Sequence, residues 1–177
     1  MLFAGVAAGV LGSRLLPPLV ASTTASSRAR LGKDPFDLLI SDHREITSLL
    51  DEMVAAPKEA VARRGKLFLM LKRKLAKHAM AEEDVVYPIV RNDSASGDER
   101  KHLYDEHADM KILLYEIEGL LTSGEDWNGA VIPLRDLIRT HIDEEERTIF
   151  PELRREVTKK GLPKLAGQIS REEALVL

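Results

Sequence analysis

The sequence predicts an all-α protein, an antiparallel up-down four-helix bundle with an apolar N-terminal extension, and three observations carry that expectation. From Asp34 onward apolar residues recur at alternating steps of three and four, the period of a helix that lays one stripe against a core. Leu, Ile, Ala, Glu, Lys and Arg dominate these stretches, and Gly and Pro fall mostly between them, which is helix composition. A histidine stands on the apolar stripe of each of four runs.

Taken in order, residues 1–33 read as an apolar segment followed by a linker. Residues 1–12 are almost wholly small and apolar, Arg14 interrupts them, and Pro17-Pro18 break the stretch that resumes at Leu15. An uninterrupted membrane crossing needs about 20 apolar residues, so no span is expected. A secretory signal would carry basic residues ahead of the apolar stretch, whereas Arg28, Arg30 and Lys33 follow it. Two readings stay open for residues 1–21, a tail for membrane association or self-association and a loosely ordered leader, and the chain is otherwise expected in the cytoplasm. Residues 22–32, rich in Ser, Thr and Ala, have the composition of a flexible linker.

Residues 34–157 carry the bundle. The first helix opens at Asp34-Pro35, a cap residue followed by proline at the first helical position, and places Phe36, Leu39, Ile40, His43, Ile46, Leu50 and Met53 inward before ending near Pro57. The second places Val61, Phe68, Leu71, Leu75, His78, Glu82, Val85 and Ile89 on its stripe, with Pro88 expected to kink its last turns. The third begins at Ser96 and Glu99 in capping-box spacing and carries Leu103, His107, Met110, Leu114, Ile117 and Leu121. The fourth runs from about Ala130 with Leu134, Ile138, His141, Glu145 and Ile149 inward, and meets Pro151 as the second meets Pro88. Residues 158–177 form a tail with a short helix near residues 167–176.

With 177 residues the chain is long enough for one domain with a real core and too short for two of ordinary size. Charged residues make up 31% and the apolar class 44%, and the formal net charge of -3 calls for no polyanionic partner. The absence of cysteine excludes disulfides, thiolate zinc sites, iron–sulfur clusters and Cys nucleophiles, so any metal must be held by His and carboxylate. There is no Gly-rich phosphate loop and no G-x-S-x-G elbow to support phosphoryl transfer or serine hydrolysis.

The chain repeats itself. His78-x-x-x-Glu82-Glu83-x-x-x-Tyr87-Pro88 has the same form as His141-x-x-x-Glu145-Glu146-x-x-x-Phe150-Pro151, and each copy is preceded by an acid-His dipeptide, Asp42-His43 or Glu106-His107. Two related helix pairs packed antiparallel give an approximate two-fold axis that brings the motifs face to face. Residues four apart on a helix share one face, so His78 with Glu82, and His141 with Glu145, reach the same inward point. Four imidazoles and two carboxylates are too many ligands for one ion. Two ions suit them, one held by His43 and His78, the other by His107 and His141, with Glu82 and Glu145 bridging. Such a mixed set fits iron, manganese or zinc, and the bridging carboxylates and open positions favour iron.

These residues resemble the hemerythrin-like, or HHE cation-binding, family from Asp34 to about Glu156. The family pattern is one His, then His-x-x-x-Glu, then the same again, usually with an aromatic-proline pair after each second motif. The resemblance implies two iron ions with an oxo or hydroxo bridge, manganese or zinc ranking behind. It also implies binding of O2, NO or peroxide, or sensing of iron or redox state. Oxygen-carrying members have a further histidine one turn after the first of the second half, where this chain has Lys111, with Thr47 at the equivalent place in the first half.

The plainer readings rank lower. A lone histidine on an apolar stripe is more often core packing than a ligand, but four of them with two stripe glutamates and a duplicated spacing point to metal. His102 falls outside the repeat and is expected to face solvent. Glu83, Glu144 and Glu146 read as solvated groups or as groups behind the ligands, with Asp42 and Glu106 in reserve, and Tyr104 as packing. Arg63, Arg64, Lys66, Lys72, Arg73, Lys74 and Lys77 read as a solvated helix face, not a nucleic-acid site. A ferritin-like oxidase would need Glu-x-x-His on two helices, and only Glu99-x-x-His102 offers it. Two function classes remain beside a metal-stabilised structural bundle: a ligand-binding or sensing protein, and a di-iron enzyme acting on peroxide or nitric oxide.

Overall fold

A computed structural model describes residues 34–90, 97–157 and 161–176. The apolar segment of residues 1–33 and the turn at residues 92–96, including Ser96 of the expected capping box, lie outside them, as does the side chain of Glu99. Among the described residues there is no strand. Four helices form the bundle: α1 (Pro35–Val54), α2 (Val61–Ala81), α3 (Gly97–Ser123) and α4 (Asn128–Glu144), with α4 prolonged by α5 (Phe150–Glu156). They pack as a closed ring in which α1 touches α2, α2 touches α3, α3 touches α4 and α4 returns to α1. A sixth helix, α6 (Leu162–Leu175), lies against α1 and α2. It starts earlier than its apolar residues suggested, because Pro163 suits a first turn that has no N–H acceptor to lose.

Local chemistry sets the ends. Asp34 accepts the Phe36 N–H at 2.9 Å with Pro35 just inside the helix, as its sequence predicts. α3 ends in a Schellman motif: Glu125 N–H bonds to the Leu120 carbonyl at 3.0 Å and Gly124 N–H to Leu121 at 3.4 Å. Gly124 takes φ 72°, the left-handed conformation such a cap requires.

The core divides into two apolar layers, and every helix crosses from one to the other at its histidine. α1 passes from Phe36 and Leu39 through His43 to Ile46, Leu50 and Met53, while α2 runs from Leu67, Phe68, Leu71 and Leu75 through His78 to Val85 and Tyr87. α3 leaves Leu103 and reaches Met110 and Ile117 past His107, and α4 goes from Leu134 and Ile138 past His141 to Ile149 and Phe150. The alternating sense is the antiparallel up-down topology, and it puts all four imidazoles at one height.

Two departures follow from proline. In place of a simple kink, each His-x-x-x-Glu motif runs into a π-helical turn, Glu82–Val86 and Glu145–Ile149. Tyr87 N–H bonds to the Glu82 carbonyl and Phe150 N–H to that of Glu145, five residues back in both copies. A proline cannot donate and its ring crowds the carbonyl four residues before it, and a widened turn relieves that crowding. The extra residue also changes the helix phase, so Tyr87 and Phe150 are fully buried whereas Ile89 is 38% exposed, outside the stripe assigned to it. Val61 likewise lies on the surface at the start of α2.

Arg64 corrects the expectation of a wholly solvated basic face. Its side chain is 2% exposed, with the guanidinium 4.2 Å from the centre of the buried Trp127 ring and donating to the carbonyls of Glu125 at 3.1 Å and Lys58 at 3.4 Å. It closes the end of the bundle remote from the π turns. Leu134, fully buried in that layer, gives a test of independence from the histidines. Leu134→Ala should lower unfolding free energy by about 3 kcal/mol in chemical denaturation without lowering metal content.

Candidate metal centre

The six residues marked by the sequence meet in the core. His43, His78, His107 and His141 are each 4% exposed or less, and Glu82 and Glu145 have no exposed surface. Their donor atoms form two sets that share Glu82, one of His43, His78, Glu82 and Glu145, the other of Glu82, His107 and His141. Glu82 Oε1 lies 3.0 Å from His78 Nε2 and 3.7 Å from His43 Nε2, while its Oε2 lies 3.5 Å from His107 Nε2. Glu145 Oε2 lies 3.3 Å from His43 Nε2, and its Oε1 lies 3.4 Å from His141 Nε2. Each carboxylate therefore spans the two imidazole pairs.

The other ring nitrogens face outward to carboxylates. His43 Nδ1 meets Glu146 at 2.9 Å, His107 Nδ1 meets Glu83 at 2.9 Å and His141 Nδ1 meets Glu106 at 2.6 Å. A carboxylate can only accept, so these contacts fix the proton on Nδ1 and turn Nε2 inward as a potential ligand. His78 Nδ1 is 4.0 Å from Asp42 Oδ2, out of hydrogen-bond range. Aspartate is one methylene shorter than Glu106 at the equivalent place, and Asp42 is held instead by Lys74 at 2.6 Å. Lys74 in turn is anchored to Glu45 and only 18% exposed, a second departure from a free basic face.

One polar group in the cluster carried no assignment from sequence. The Tyr87 hydroxyl donates to Glu145 Oε1 at 3.0 Å and stands 3.0 Å from His107 Nε2 and 3.3 Å from His141 Nε2. The available signal was the mismatch of Tyr87 with Phe150 in the repeat. Tyr104 lies outside the cluster, 37% exposed, bonded to the Glu83 carbonyl and edge-on to Tyr87. At the place of the missing histidine, Lys111 points out to Glu83 at 2.9 Å, and Thr47 bonds back to the His43 carbonyl. His102 is half exposed, with Nε2 3.3 Å from Glu106 and 3.5 Å from Glu144.

The cluster sets buried acids against buried imidazoles. Burial opposes the His43 imidazolium, but Glu145 and Glu82 outweigh it and push its pKa up to about 10. Burial works against His107 too, and Glu82 with Glu83 raise it to about 9. Burial would also raise Glu82, yet the neighbouring imidazoles of His78, His107 and His43 hold it well below the ordinary carboxylate range. Tyr87 is pushed well above the usual phenol value, first by burial and then by Glu82 and Glu145. Two buried anions here draw in positive charge, and protons supply it when no cation does. His43 Nε2, Glu82 Oε1 and Glu145 Oε2 are buried without a hydrogen-bond partner, which suits atoms that face a metal ion.

Two openings reach the cluster. A cavity of about 210 Å³ between α2 and α3 touches all four histidines. A wider polar groove on the α1–α4 seam, walled by Thr47, Asp51 and Glu146, reaches His43.

The raised histidines set the pH dependence of the metal-free protein. Their stabilisation is complete below the ordinary value of 6.5 and is lost as pH climbs through about 9 and 10. The melting temperature of metal-free protein should fall steadily across that window, measured by circular dichroism. A flat profile would contradict the charge arrangement. Depressed Glu82 adds stability above its ordinary 4.5 that disappears on acidification.

Comparison with known proteins gives relatives and a family. A DNA nickase from Nostoc sp. (strain PCC 7120 / SAG 25.82 / UTEX 2576) is 32% identical over 120 residues, which cover 67% of this chain and 33% of the nickase. The chain thus spans about a third of that relative's length. An uncharacterized hemerythrin-like protein of Schizosaccharomyces pombe is 26% identical over 144 residues, 79% of this chain and 69% of its own. No solved structure matches. The family profile of the hemerythrin HHE cation binding domain matches residues 34–153, nearly the whole four-helix bundle with its six buried donors, and the chain belongs to that family.

Proposed function

We propose that this chain is a non-haem di-iron protein that binds O2, NO or peroxide, or registers iron and redox state, at a carboxylate-bridged metal pair. The observation that carries this reading is the arrangement of Glu82 and Glu145, each with one oxygen toward His43 or His78 and the other toward His107 or His141. In the reading, His43 and His78 hold one ion, His107 and His141 the other, and the two glutamates bridge. Iron is preferred to manganese or zinc because bridged carboxylate sites with open positions suit its redox chemistry. Bound iron would supply a one-electron couple and vacant positions for a small ligand.

The chain's own residues do the rest. Glu146, Glu83 and Glu106 orient three imidazoles and raise their basicity as donors. Tyr87 brings the one hydroxyl of the cluster to the His107 and His141 side, where it can donate a hydrogen bond to Glu145 or to a ligand's oxygen. The apolar layers keep bulk water from both carboxylates. An enzyme acting on peroxide or nitric oxide is the second reading, supported by Lys111 in place of a fifth imidazole and by that hydroxyl. DNA chemistry gains no support from α2, where Lys72 pairs with Glu118 and Lys74 with Asp42 and Glu45. Among the described residues no helix is long and apolar enough to cross a membrane. The proposal of membrane association or self-association therefore rests on residues 1–21 alone.

Purified protein should contain about two iron ions per chain and show near-ultraviolet charge-transfer bands of a bridged ferric pair. Both should vanish in a Glu82→Ala, Glu145→Ala double variant that still folds. A single zinc indifferent to both substitutions would overturn the proposal. Binding and catalysis separate on turnover: a stable difference spectrum with NO or peroxide and no catalytic loss of either supports the binding reading. Tyr87→Phe should keep the metal content while shifting that difference spectrum.

A further inference from the structure

The cavity between α2 and α3 is larger than a diatomic ligand needs. We propose that it is a binding site for a small neutral apolar organic molecule, of the size and chemistry of an alkylbenzene. The proposal requires the cavity and not the ions, so it goes beyond the metal reading.

Volume comes first. The cavity measures about 210 Å³. An apolar cavity of about 150 Å³ holds one benzene, so this one has room for a ring with a short alkyl arm. The space exists because α2 presents Ala76 and Ala79 toward α3 where longer side chains would close the seam. Leu75, Met110, Leu114 and Ile138 form apolar walls.

The histidine end of the cavity offers little polarity. His43, His107 and His141 each spend Nδ1 on a carboxylate and turn Nε2 toward Glu82, Glu145 or Tyr87. What these three leave for the cavity is ring carbon, and His78, the fourth histidine of its lining, keeps its unpaired Nδ1 buried. The rim is charged but balanced, since Lys72 pairs with Glu118 at 2.8 Å and Lys111 with Glu83 at 2.9 Å. An anionic ligand would have to displace these partners, and a polar one would find few hydrogen-bond partners along the walls. A neutral apolar body meets neither obstacle.

The test is a titration of the full chain, metal-free and metal-loaded, with toluene, followed by the carbon-13 methyl resonance of Met110 and by calorimetry. Saturable binding of one toluene per chain is expected in both forms, with benzoate weaker by at least about tenfold. Leu114→Trp and Ala76→Phe, either of which fills the space without touching a metal donor, should each weaken toluene by at least about tenfold while helical content and metal uptake stay unchanged. No saturable shift up to the solubility of toluene overturns the site. Unchanged affinity in folded variants, or benzoate binding as tightly as toluene, also overturns it. Toluene binding in a chain that takes up no metal would support the cavity and sink the metal centre alone, so the two proposals fail separately.

Discussion

Two fully buried carboxylates among four buried imidazoles are the constraint on which the rest of the structure depends. A carboxylate removed from water without compensation is costly enough to unfold a domain of this size, so positive charge must be delivered to Glu82 and Glu145 at one point in the core. No single helix can deliver it. Each of the four contributes one imidazole at the same height, and that requirement fixes the phase, direction and vertical register of all of them. The two apolar layers are what remains of the core above and below.

The outward nitrogens tie three of the four seams with hydrogen bonds and leave the fourth as a looser contact. His43 to Glu146 crosses the α1–α4 seam, His78 faces Asp42 across α1–α2, His107 to Glu83 crosses α2–α3, and His141 to Glu106 crosses α3–α4. Every seam of the bundle thus carries one imidazole–carboxylate pair, and helix packing and donor orientation are the same set of contacts. The weak member is His78 with Asp42, where the shorter acid gives its charge to Lys74. The two halves therefore differ in how firmly they hold an imidazole.

Much of this was legible in the sequence, for a physical reason. Burying a charged group leaves a mark on a helical pattern that burying leucine does not, so His and Glu on an apolar stripe stand out, and their duplication supplies the symmetry. What escaped was governed by backbone phase. The π turns at Glu82 and Glu145 insert one residue into the helical count, which is why Ile89 falls off the stripe and Tyr87 falls onto the cluster. A fixed period of 3.6 cannot see that shift, although Pro88 and Pro151 announce that something must yield. Arg64 was misread because a cation in a basic row carries no sign of its own burial, and only Trp127, more than sixty positions away in the chain, explains it.

The mismatch of Tyr87 with Phe150 means that the halves are not interchangeable. A chain assembled from two copies of the first half would bring two hydroxyls to the carboxylates, and one assembled from two copies of the second would bring none. Yet either chimera would keep the four imidazoles, the two buried glutamates and both π turns. Tyr87 against Phe150 and Asp42 against Glu106 together give the cluster one side with a hydroxyl and another with a less firmly held imidazole.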